Sequence, residues 1–138
     1  MWGLVWLQMA LAQLSVTLAE GPAALTAARR AADIAEQSHF RLEQGAALRV
    51  LGQACEAVGD RAEANTRFRQ SLDVLEATES RPEVGQTLLA YGRFLAREDE
   101  AAGRALIARA LSLFEEMNAT GWIEEARSAH TETRAPAK

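Results

Sequence analysis

Residues 41–52, RLEQGAALRVLG, and residues 81–92, RPEVGQTLLAYG, decide the fold. They share Arg41 with Arg81, Glu43 with Glu83, Gly45 with Gly85, Leu48 with Leu88 and Gly52 with Gly92, all at one offset of 40. The next segment repeats at an offset of 39, with Ala64 against Gly103, Phe68 against Ile107, Ser71 against Ala110, Leu72 against Leu111 and Glu76 against Glu115. One residue is therefore missing between Arg93 and Gly103. Upstream by 40, Ala24, Ala28, Ala31, Asp33, Ile34 and Glu36 fall on Ala64, Phe68, Ser71, Asp73, Val74 and Glu76, which implies an earlier, third copy. Self-similarity at a fixed period of this length is the signature of a repeat architecture.

Within each copy the apolar residues recur three and four apart, as in Leu48, Leu51, Gly52 and Cys55 and again in Phe68, Leu72 and Leu75, so each copy reads as two amphipathic helices. Gly21-Pro22 and Gly59-Asp60 read as breaks. Ser80 reads as an N-cap ahead of Pro82, and Asn118 to Gly121 as the stop before the last helix. The pattern predicts an all-α chain of seven helices near 3–19, 23–37, 40–58, 61–78, 82–97, 99–117 and 121–131. These group into units 1–39, 40–79 and 80–118 and a cap 119–131, forming one domain over 1–131 with a disordered tail at 132–138. Gly45 and Gly52, like Gly85 and Gly92, lie seven apart, close to two turns, and so mark a face where another helix approaches closely. Ala64 and Gly103 supply the matching small site on the second helix, and Phe68 and Ile107 are expected to fill the gap between units.

The composition sets bounds on function. The chain has 138 residues, 49% hydrophobic and 25% charged, with a formal net charge of -4, enough for one soluble core. That balance offers no clustered positive field for phosphate, so nucleic acid is not an expected partner. One cysteine, Cys55, and two histidines, His39 and His130, cannot form a structural disulfide or an ordinary zinc site, so no metal or cofactor is expected and a reducing, cytoplasmic setting fits. Residues 1–19 carry no charge, and no Lys or Arg precedes Arg29, which weakens a signal-peptide reading. Gln8, Gln13, Ser15 and Thr17 interrupt the stretch and weaken a membrane-span reading. The expectation is a helix buried against neighbouring helices, with no membrane partner.

Leu48, Leu51, Gly52, Cys55, Ala64, Phe68 and Ser71, and in the next copy Leu88, Tyr91, Gly92, Leu95, Gly103, Ile107 and Ala110, resemble the tetratricopeptide repeat. The departures are Cys55 and Leu95 at the usual aromatic, no closing proline, and a period of 40 in place of about 34. The long, Ala-rich copies, ending in phrases such as Leu113-Phe114-Glu115-Glu116-Met117, also resemble the C-terminal repeat regions of large bacterial signalling ATPases. The resemblance implies a right-handed α-solenoid of antiparallel helix pairs, about three units plus a capping helix. It also implies a non-catalytic scaffold that binds a peptide or protein partner on its concave face. On the family positions, that face takes Trp6, Met9, Gln13, Arg49, Gln53, Glu56, Gln86, Leu89, Arg93 and Arg97. The arginines are suited to paired hydrogen bonds with carboxylates. Arg49 and Gln53 stand where the family's carboxylate clamp has Lys and Asn, so that activity is not carried over.

No catalytic constellation is legible. Cys55 falls on a buried seam and reads as a packed thiol. His39 and His130 read as surface or capping residues. Glu98-Asp99-Glu100, Glu115-Glu116 and Glu124-Glu125 point about 100° apart from one neighbour to the next and do not converge. In the last helix Trp122, Ile123 and Ala126 are expected inside, with Glu124, Glu125 and Arg127 outside. The first helix lacks such a polar outer face. Trp2, Val5 and Trp6 are expected to form an apolar patch that docks on a second copy or an upstream region. The alternative function is therefore self-assembly through that helix.

Overall fold

The computed structural model describes residues 2–17 and 20–133. Among the described residues seven helices follow one another: α1 (Trp2–Thr17), α2 (Gly21–Gln37), α3 (Arg41–Ala57), α4 (Arg61–Thr78), α5 (Arg81–Ala96), α6 (Glu100–Glu116) and α7 (Thr120–Glu132). There is no strand among the described residues. Apart from the end of α1, each helix end falls within two residues of its expected place. Two parts of the expectation, the end of the first helix at Leu18 and Ala19 and the tail at 134–138, lie outside the described residues. Gly21-Pro22 is not a break. Gly21 begins α2, and proline is tolerated in a first turn because the N–H it lacks has no intrahelical acceptor there.

The chain forms two compact units, Met1–Ser80 and Arg81–Lys138, divided where one repeat copy ends and the next begins. In the first unit α1 packs on α2, α3 packs on both, and α4 packs on α3. In the second, α6 packs on α5, and α7 packs on α6 and more slightly on α5. Among the described residues no helix is long and apolar enough to cross a membrane.

The turns repeat as regularly as the helices. His39, Gly59, Glu79 and Asn118 have φ of 58°, 85°, 59° and 54°, and in each case the next helix begins two residues later. At three of these turns the left-handed residue and its successor donate back to the preceding helix: His39 to Glu36 and Phe40 to Ala35, Gly59 to Glu56 and Asp60 to Cys55, Asn118 to Glu115 and Ala119 to Phe114. This is the Schellman closure, which satisfies carbonyls left open at a helix end. The α5–α6 turn carries the missing residue. Asp99 still donates to Leu95, as Asp60 does to the equivalent Cys55, but across four residues rather than five, and no left-handed residue is needed. Asp60 and Asp99 both cap the helix that follows, accepting from the backbone N–H groups of Glu63 and Ala102 at 3.1 Å.

The seven-residue glycine spacing acts inside each hairpin. A Cβ on Gly45 would run into the end of Leu75, and one on Gly52 would lie 3.0 Å from the Phe68 ring. In the second unit a Cβ on Gly85 would lie 2.6 Å from Phe114, and one on Gly92 would lie 2.7 Å from Ile107. Phe68 and Ile107 thus seat within their own hairpins. Each rests on a glycine of its own hairpin partner, because the absent Cβ lets the two helices close on each other. Ser71 adds a buried hydrogen bond, its Oγ donating to the Gly45 carbonyl at 2.7 Å. The α1–α2 pair inverts the arrangement. Val5 and Ala12 stand at the positions of Gly45 and Gly52, Ala28 and Ala35 at those of Phe68 and Leu75, and all four are fully buried. In α7, Ala126 and Ala129 are fully buried and Ile123 is half-buried. Trp122, expected inside, is 39% exposed, with its ring stacked on Phe114 at 5.6 Å.

Two substitutions test this description. A Cβ on Gly103 would lie 2.5 Å from the Ala96 nitrogen and the Gly92 oxygen, which are backbone atoms that cannot swing aside. Gly103→Ala should therefore cost about 1–3 kcal/mol in urea unfolding, although helix propensity alone favours alanine. Glu79→Gly should raise stability by about 0.5–1 kcal/mol in the same assay by relieving a left-handed non-glycine residue.

Candidate functional site

In the first unit α2, α3 and α4 enclose a recess. Its floor is Leu48 and Leu51 of α3, with Gln44 at one end. Arg29, Ala32, Asp33 and Glu36 of α2 form one wall, and Arg67, Gln70, Asp73 and Val74 of α4 form the other. The part nearer Arg29 holds about 140 Å³ and the part nearer Asp73 about 270 Å³, with Glu36, Gln44, Leu48 and Arg67 common to both. The helix register builds it. Phe68 and Leu75 turn inward onto the glycines of α3, which leaves Arg67, Gln70 and Asp73 at the rim of α4.

Arg67 is a fixed part of the wall. Its Nε donates to Glu63 at 2.8 Å, its Nη2 lies 2.7 Å from the same carboxylate, and its Nη1 donates to Gln70 at 3.2 Å. Among the described residues no ion pair or hydrogen bond engages the carboxylates of Asp33, Glu36 or Asp73. With Arg67 neutralised by Glu63, three carboxylates face one remaining cation, Arg29. An apolar floor under an acid-leaning rim suits a side chain with an alkyl stem and a cationic head, the chemistry of Lys or Arg in a peptide.

The residues expected on the concave face are divided by the structure. Arg49, Gln53 and Glu56 are half-buried along α3, Gln13 is exposed on α1, and Trp6 is half-buried. Gln86 is half-buried and Arg97 exposed on α5. Met9 and Leu89 are core residues and are withdrawn from the candidate face. Met9 lies one turn from the fully buried Val5, on the side of α1 turned to its neighbours. Arg93 is engaged, since both of its terminal nitrogens lie 3.2 Å from Glu125 of α7. The acidic pairs have similar roles: Glu116 faces Arg81 and Glu115 faces Arg127, each at 3.7 Å, and Asp99 is a cap. The expected patch of Trp2, Val5 and Trp6 also shifts. Val5 is buried, Trp6 is half-buried and the Trp2 side chain lies outside the described residues, while Leu4, Leu7 and Leu11 face outward.

The recess was not foreseen from the sequence. The signal for it was present in the repeat alignment, where Asp33 falls on Asp73, and both line the rim. No protein-family model matches the sequence, and no curated protein is significantly similar to it.

Cys55 is buried in α3. Desolvation pushes its thiol pKa up, the carboxylates of Glu63 and Asp60 add to this, and Arg29 and Arg67 partly offset it. The folded chain therefore holds this proton more tightly than the unfolded chain. The stability linked to it is intact below the ordinary thiol range and declines as pH rises through and beyond that range. Native protein should react slowly with a thiol reagent at neutral pH and fully once unfolded, and its urea midpoint should fall on the alkaline side. Fast labelling of the native chain would contradict this burial.

Proposed function

We propose that this chain is a non-catalytic interaction adaptor of the tetratricopeptide-repeat kind, a right-handed α-solenoid of antiparallel helix pairs that binds a peptide or protein partner. The observation that carries this reading is the duplicated hairpin interface. The same two small-to-large seats, Gly45 with Leu75 and Gly52 with Phe68, recur as Gly85 with Phe114 and Gly92 with Ile107. Stacked copies of one supersecondary unit build extended surface, and such surfaces are used for binding.

Within the first unit, recognition is assigned to the recess over Leu48 and Leu51. Met9 and Leu89 are buried and Arg93 is held by Glu125, which thins the face carried by the first helices. The partner segment presents a Lys or Arg whose stem lies on the floor and whose head meets Glu36 and Asp73. The likeness to the C-terminal arms of bacterial signalling ATPases makes a regulatory arm in the cytoplasm the setting of this binding, and a buried, reduced Cys55 is compatible with that compartment.

The test is a selection from a displayed library of random peptides on the full chain. Peptides pairing a basic residue with apolar neighbours should be enriched, and Glu36→Lys with Asp73→Lys should weaken them at least about tenfold with helix content unchanged. Enriched peptides that bind the double variant equally would remove the recess from the proposal. A selection that enriches nothing would count against the adaptor itself.

A further inference from the structure

Leu4, Leu7 and Leu11 of α1 are 37%, 55% and 44% exposed, in the three- and four-residue spacing that keeps side chains on one helix face. Advanced by 40, these positions are Gln44, Ala47 and Leu51 of α3. There Ala47 and Leu51 are buried, and Gln44 and Leu51 face Ala32 and Glu36 of α2 across the recess. Advanced by 80, they are Val84, Thr87 and Tyr91, all buried. The later copies cover this row. In α1 it is open.

The composition of the open face indicates what covers it. Besides the leucines it carries Gly3 and Ala10, both exposed, and a Cβ on Gly3 would meet nothing within 4 Å. In the α3–α4 hairpin the small row Gly45 and Gly52 is spaced by seven and receives a large row, Phe68 and Leu75, also spaced by seven. Two helices of this fold divide those rows between them. α1 holds both on one face: Gly3 and Ala10 are seven apart, and so are Leu4 and Leu11. A second α1 laid antiparallel, with Leu7 on the two-fold axis, places each Leu11 on the other chain's Gly3, each Leu4 on its Ala10, and Leu7 on Leu7. A surface that complements itself through a two-fold axis is the requirement for a symmetric dimer. Charge does not oppose the pairing, since α1 contains no charged residue.

We infer that two copies of this chain dimerise through α1 in that antiparallel register. The inference is independent of the peptide recess. One helix of 16 residues per chain is a small contact, which places the equilibrium at the weak, concentration-dependent end of specific interfaces.

Sedimentation equilibrium of the full chain from micromolar to submillimolar concentration tests it, with circular dichroism and urea unfolding as folding controls. The wild type should pass from monomer to dimer and no further. Leu7→Glu sets two like charges on the axis and should move the midpoint up at least about 100-fold without loss of helix. Ala10→Leu separates this register from general stickiness: it adds apolar surface, yet it fills the seat for Leu4 and should weaken the dimer. Leu7→Cys should form an interchain disulfide with itself under mild oxidation, and Gly3→Cys should not. A monomer throughout, assembly beyond a dimer, or tighter association of Ala10→Leu would each overturn the inference. A monomer would assign the row to a different protein.

Discussion

In the α3–α4 and α5–α6 hairpins a large side chain of the second helix rests where a glycine of the first has no Cβ. A glycine inside a helix costs about 1 kcal/mol relative to alanine. Full burial of the Phe or Leu it receives returns about 1.5–3 kcal/mol, and the close backbone approach adds dispersion contacts along the interface. Two seats spaced by seven must be filled together. A slip of one turn along the helix would set Phe68 against a side chain instead of Gly52, so the pairing fixes the register as well as the distance. The rest of the first unit follows from that register. With Phe68 and Leu75 turned inward, Arg67, Gln70 and Asp73 stand at the rim, and Leu48 and Leu51 remain as the floor between α2 and α4.

The first hairpin shows that close approach does not require glycine on a particular helix. In α2, Ala24, Ala28, Ala31 and Ala35 are fully buried, and the side facing them in α1 carries Val5 and Ala12. Bulk has moved from the second helix to the first while the pair remains closely packed. Alanine suits that role because it preserves helix propensity and loses no side-chain entropy on burial. The cost falls on the area available: two small faces bury less apolar surface than a Phe on a glycine.

How much of this was legible in the sequence depended on the kind of information each residue carries. Helix limits were legible to within two residues because the stop signals are local: Gly59 and Asn118 take a left-handed backbone, Asp60 caps the helix that follows it, and Pro82 stands in a first turn. The glycine face was legible because its period matches the helix. The identity of the facing helix was not: that Phe68 and Ile107 seat on glycines of their own hairpins is visible only in the structure. Periodicity says that a side is apolar and leaves open which neighbour covers it, and Met9, Leu89 and Val5 were misplaced for that reason. The pairing of Arg93 with Glu125, 32 residues away, was not legible because no local pattern links them. The recess has its walls on second helices, α2 and α4, whereas the family positions lie on first helices.

The seats also have a kinetic meaning. Each glycine and its large partner belong to one hairpin, joined by a turn of a few residues, so the chain closes only a short loop to make the contact, and the entropy of loop closure stays small. Chains dominated by such local closures fold on the order of microseconds to milliseconds. Either hairpin can serve as the starting nucleus, α3–α4 on Gly52 or α5–α6 on Gly92, without waiting for the other. On a ribosome, the α3–α4 hairpin can close as soon as Leu75 has emerged, before α5 has been made.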